Sequence, residues 1–220
     1  MKLKMLIASL LMAIGATGVL AQGRSSLCYI DFGDGYYEPF LAAGGATAWE
    51  KGSSITLYIV SPSSGGFTSG QITNIETALS NWSSAAVTNL QITNSVVTST
   101  PSSFPSQYIL VQFGSTSGCG DGSAACTAFN YNTTTGYPTY STINVSTSVG
   151  TADIGALMAH EMGHTYIIAD CLDSADCDYS LTLMDPTEIF ESSPTSPLCC
   201  DLDLIYAMTP EIPQGTPCTD

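Results

Sequence analysis

The sequence predicts an α+β domain of five short strands, two long helices and a C-terminal helix, stapled by disulfides. Three observations carry that expectation. Five runs rich in β-branched and aromatic residues alternate with Ser/Gly/Pro loops, two longer stretches place apolar residues every three or four positions, and all eight cysteines follow residue 21. A length of 220 residues suits one domain with a short additional piece.

The chain opens on a secretory signal at residues 1–21. Lys2 and Lys4 form its basic start, an apolar run extends from Met5 to about Leu20, and Val19-Leu20-Ala21 forms a small-residue cleavage site before Gln22. Gly15 and Gly18 interrupt the run, and it is too short for a comfortable bilayer span, so cleavage is favoured over a retained anchor. A secreted, periplasmic or extracellular protein follows from this. Residues 22–50 read as an irregular lead-in and residues 51–220 as the main domain.

Within that domain, Ser54 to Val60 (SITLYIV) reads as a strand closed by the turn-forming SPSSGG. From Ser69 to about Ala86, Ile72, Ile75, Leu79 and Trp82 recur at helical spacing. Four more strands are expected at residues 89–97, 108–113, 124–129 and 139–145. A second helix is expected from about Thr151 to Ile168, with Thr151 and Asp153 serving its first turn. A third covers about Leu198 to Met208 and stops before Pro210.

Composition removes several functions. Four Lys and Arg stand against 19 Asp and Glu, giving a net charge of −15, and after signal removal only Arg24 and Lys51 oppose the acids. Such a surface repels a phosphate backbone and anionic lipid headgroups, so neither nucleic acid nor a membrane is an expected partner. No later segment is long and apolar enough to span a bilayer. A monomer is expected.

Eight cysteines in an oxidising compartment predict four disulfides. Short loops pair Cys119 with Cys126 and Cys171 with Cys177. Cys28 and Cys218, near the termini, are then left to pair with the adjacent Cys199 and Cys200 in either order. No CxxC pair supports a zinc ribbon.

The chemistry concentrates in the second helix, at His160-Glu161-Met162-Gly163-His164. These are the only two histidines in the chain. A spacing of four puts both imidazoles on one helical face, where they can share one metal ion, and Glu161 is rotated off that axis towards the position of a general base. Two histidines thrown at random into the mature chain would fall four apart in roughly 1 case in 100, and a Glu directly after the first cuts this about twentyfold. A catalytic zinc site takes three protein ligands, so the third must be a downstream residue other than His.

The stretch HEMGHTYIIAD, residues 160–170, resembles the extended motif HExxHxxGxxH of the metzincin zinc peptidases, which ends in Asp in snapalysin-like members. Leu183-Met184-Asp185-Pro186 is similar to the family's Met-turn, and the order of elements from about Trp49 to Met208 is matrixin-like or snapalysin-like. The resemblance implies a twisted, mixed sheet of about five strands with a Met-turn before the C-terminal helix. It implies a zinc endopeptidase with one Zn²⁺ held by His160, His164 and Asp170, Glu161 as general base, Met184 beneath the metal, and substrate extended along an edge strand near residues 124–129. The family's Gly after the second His is Ile167 here, and Ile resists a positive φ. A helix that ran longer and turned later would bring in Asp173, Asp176 or Asp178 instead. Ca²⁺ is a further candidate for that acidic loop, although no EF-hand spacing is present. The different class of function left open is an exported binding module on the same scaffold, with Ile167 as its main support; a zinc hydrolase of non-peptide substrates is a third.

Overall fold

The computed structural model describes residues 30–31, 37–38, 46–86, 88–120, 122–170, 182–184 and 194–208. Two short strands, β1 (Ile30–Asp31) and β2 (Tyr37–Glu38), pair antiparallel within the region read as an irregular lead-in. The main sheet comprises β3 (Ser54–Val60), β4 (Gln91–Val97), β5 (Tyr108–Phe113), β6 (Ala125–Tyr131) and β7 (Pro138–Val145). The helices are α1 (Ser69–Ala85), α2 (Ile154–Thr165) and α3 (Cys199–Met208). The fold is α+β, as the sequence predicts.

The sheet order is β4-β3-β5-β7-β6. The first four strands run parallel, and β6 lies antiparallel to β7 at one edge. Parallel pairing demands long crossovers, and α1 supplies the one between β3 and β4. Side chains alternate across the strands, so Ile55, Leu57, Ile59, Ile109, Val111, Ile143 and Val145 form one buried face. They share a core with Ile75, Leu79 and Trp82 of α1 and Leu157, Met158 and Met162 of α2. Tyr58, Tyr108 and Tyr140 occupy the alternate positions and meet Phe104 in an aromatic row, with ring centroids 4.2 Å apart for Phe104 and Tyr108 and 5.3 Å for Tyr108 and Tyr140.

Helix α1 begins at a capping box. Thr68 accepts from the Gln71 amide, and Gln71 Oε1 accepts from the Thr68 amide, which satisfies two amides that the helix leaves without partners. At its other end Trp82 ties α1 to α2, donating from Nε1 to the Ala159 carbonyl at 2.7 Å and stacking on Tyr166. The Tyr166 hydroxyl meets Thr88 Oγ1 at 3.1 Å. The core reaches back past the expected domain start: Ala46, Ala48 and Trp49 are buried, and Trp49 Nε1 donates to Thr165 Oγ1.

The start of β4 and both ends of α2 depart from the sequence reading. Asn89 takes a left-handed φ of 49°, so β4 starts at Gln91 rather than at residue 89. Helix α2 starts at Ile154, with Asp153 making no side-chain cap, and it ends at Thr165, three residues before the expected Ile168. The early end is a Schellman turn: Ile167 N–H bonds the His164 carbonyl at 3.0 Å, Ile168 N–H bonds the Gly163 carbonyl at 3.3 Å, and Ile167 has φ 66°.

A left-handed residue with a Cβ costs about 1–2 kcal/mol. Ile167 is fully buried, and burying an Ile side chain contributes about 1.5–3 kcal/mol, enough to offset that cost. Ile167→Gly should therefore lower the free energy of unfolding by about 1–3 kcal/mol, as cavity loss exceeds the relieved strain. Denaturant titration measures this, and a more stable Gly variant would mean that strain dominates.

Candidate metal centre

Helix α2 carries His160 and His164 one turn apart with their ring centroids 4.8 Å from each other. Both rings are held from behind. His160 Nδ1 lies 2.8 Å from the Leu183 carbonyl, and His164 Nδ1 lies 2.8 Å from the Ile168 carbonyl. A carbonyl only accepts, so each neutral ring carries its proton on Nδ1 and turns a lone pair outward at Nε2. The Schellman turn at Ile167 does two things here. It presents the Ile168 carbonyl to His164, and it reverses the chain so that Asp170 Oδ1 arrives 3.1 Å from His160 Nε2 and 3.2 Å from His164 Nε2.

These three atoms fit a metal ion. Ligands at zinc distances on a common tetrahedral centre stand about 3.3 Å apart, close to the spacings that Asp170 makes. Among the described residues Asp170 Oδ1 is a buried oxygen without a hydrogen-bond donor, and the two lone pairs facing it carry no proton in the neutral rings. Three converging lone pairs repel one another unless a cation stands among them. Among the described residues, His160, His164 and Asp170 form the one group of three side chains able to hold a metal.

Protons and metal compete for this place. Burial raises the Asp170 carboxyl, but the His160 and His164 rings outweigh burial and draw it well below the usual carboxylate range. Burial opposes charge on His164, yet Asp170, the Glu161 carboxylate and the Ile168 carbonyl together raise it. Asp170 is the more open side of the site, with its side chain 37% exposed, whereas His160 and Glu161 are buried.

Glu161 points to a partner that the sequence does not single out. Thr127, on edge strand β6, donates its hydroxyl to Glu161 Oε2. Gly163 is another such residue: a Cβ there would come within 2.4 Å of Met184 Sδ and 3.0 Å of Trp82 Cζ2, so its small size lets Met184 pack against α2. Only the general demand for close approach marks such a Gly in advance.

Asp201 is the third. It is fully buried at the start of α3 and accepts from Thr182 Oγ1, from Leu183 N–H at 3.0 Å and from Leu198 N–H at 2.8 Å. Thr182 Oγ1 in turn accepts from Met184 N–H at 3.0 Å. The segment Thr182–Met184, whose Leu183 carbonyl holds His160, is thus fastened to α3 through one carboxylate. Burial pushes that carboxyl up to about 6, against the opposing effect of its three donors and the His160 charge.

Cys119 and Cys126 are joined, and the bridge leads directly into β6. Cys199 and Cys200 are both disulfide-bonded. Cys28, Cys171, Cys177 and Cys218 lie outside the described residues, as do the expected signal segment, the alternative ligand candidates Asp173, Asp176 and Asp178, and the acidic loop considered for calcium. Among the described residues no helix is long and apolar enough to cross a membrane.

No protein-family profile matches the chain, and no curated protein matches it. Among solved structures it is similar to metalloproteinase-II from Bacteroides fragilis, at 13% identity and a TM-score of 0.44, over 80% of this chain and 60% of that one. It is also similar to myroilysin, at 14% identity and a TM-score of 0.41, over 86% of this chain and 100% of that one. The chain thus spans less than two thirds of the Bacteroides protein's length.

The Asp201 network has a pH signature. An unfolded Asp titrates near 4 and the folded one at about 6, so between these values the native state keeps a proton that the unfolded chain has released. The Asp201 contribution to stability is therefore full below pH 4 and falls by at most about 3 kcal/mol as pH rises to 6. In Asp201→Asn, one carbonyl oxygen can accept both amides while the side-chain NH₂ donates to Thr182. Stability measured against pH should lose this slope in the Asn variant, and an unchanged slope would assign it to other groups.

Proposed function

We propose that the protein is a secreted zinc-dependent endopeptidase of metzincin type. The observation that carries this reading is the meeting of His160 Nε2, His164 Nε2 and Asp170 Oδ1 beside a buried Glu161 on the same helix. His160, His164 and Asp170 would hold Zn²⁺. When bound, the ion supplies Lewis acidity, polarising the scissile carbonyl and making water a competent nucleophile near neutral pH. Glu161 takes the proton from the attacking water and passes it to the leaving amine. Secretion is supported by the N-terminal signal pattern and the disulfides.

Substrate recognition is read from the sheet. Among the described residues strand β6 pairs only with β7, and its other side is the sheet edge we assign to an extended peptide. The donor set of two imidazoles and one carboxylate suits Zn²⁺ better than Ca²⁺, which favours a shell of oxygens. The reading as an exported binding module leaned on Ile167 failing to turn the chain. Ile167 turns at φ 66°, and that support is gone.

Metal analysis and a proteolysis assay test the proposal together. The mature protein should carry one zinc per chain and cleave an unfolded protein. Glu161→Ala should keep the zinc and lose about 100- to 10,000-fold in kcat/KM. Stoichiometric zinc without cleavage of any of a broad set of peptides, by the unmutated protein, overturns the peptidase reading and leaves binding or a non-peptide substrate.

A further inference from the structure

Thr127 stands opposite Ile143 in the β6–β7 register, on the face of the sheet that packs against the helices. Its hydroxyl has one proton to give. Two acceptors lie within reach, Glu161 Oε2 and, at 3.4 Å, the Glu161 main-chain carbonyl. The carboxylate is the stronger acceptor and the nearer, so the proton goes to Oε2. Glu161 itself is nearly sealed from solvent, which makes a single fixed donor more influential than it would be in water.

We infer that Thr127 is a positioning residue for Glu161, holding Oε2 through its hydroxyl so that Oε1 is the oxygen that exchanges the proton. The inference rests on the reading of Glu161 as general base. Three rotatable bonds separate a Glu carboxylate from its backbone, and rate depends on holding the reacting oxygen in place. Thr127 also belongs to the strand proposed to receive the peptide. One residue therefore joins the substrate-bearing edge to the base: its main chain belongs to the edge and its side chain to α2.

Two substitutions separate this role from simple packing. Thr127→Val keeps the β-branched shape that suits a strand and removes the hydroxyl, while Thr127→Ser keeps the hydroxyl. With zinc bound, the Val variant should lose about 10- to 100-fold in kcat with KM held within about twofold, and the Ser variant should stay within about threefold of the parent. Zinc content should remain one per chain in both. An undiminished kcat in the Val variant overturns the inference, as does a loss accompanied by a raised KM or by lost zinc.

A second readout does not depend on turnover. The infrared carboxylate band of Glu161, assigned by its loss in Glu161→Gln, should shift in the Val variant and stay in place in the Ser variant. An unshifted band in the Val variant overturns the inference. If the unmutated protein cleaves no peptide, the peptidase reading fails separately, and the band still decides whether Thr127 holds Glu161.

Discussion

The candidate centre depends on a single reversal of the chain at Ile167. Two histidines four apart on a helix face the same way wherever they occur, but two ligands do not enclose an ion. The third candidate is Asp170, and only an abrupt exit from α2 brings it back. The left-handed Ile167 makes that exit, and the same turn offers the Ile168 carbonyl to the ring of His164. Helix ending, ring orientation and ligand delivery are one event. Its strain is carried by a side chain that the core encloses completely.

A second constraint acts on the other histidine from far along the chain. His160 is oriented by the Leu183 carbonyl, Leu183 by Asp201, and Asp201 also binds the amide of Leu198 before α3. Met184 packs against Gly163 from the same short segment. An anionic carboxylate in this position is costly to bury, and it is retained where three donors converge on it. The two histidine rings are thus aligned by different means: one by a local turn, the other by contacts between distant segments.

That difference explains what could be read in the sequence. His160, Glu161 and His164 form a local pattern, and their rarity in this chain makes them stand out. The strands from Ser54, Tyr108 and Pro138 announce themselves through β-branched and aromatic runs that end at clear turns. The end of α2 was harder, because Ile favours neither the left-handed region nor a helix stop, and only its burial resolves the conflict. Thr127, Gly163 and Asp201 carry no local signal. Their importance arises from what lies opposite them in space, and one Thr, Gly or Asp among many in this composition has no mark to separate it.

The fastening of Thr182–Met184 to α3 also places part of the site's support late in the chain. As the chain emerges, all three candidate ligands are delivered before the residues that orient His160 have been made. A growing or truncated chain that ends before Asp201 carries the complete ligand set yet lacks the anchor for the Leu183 carbonyl. The candidate centre therefore depends on residues downstream of it, and a chain cut short there keeps its candidate ligands but lacks the contacts that aim His160.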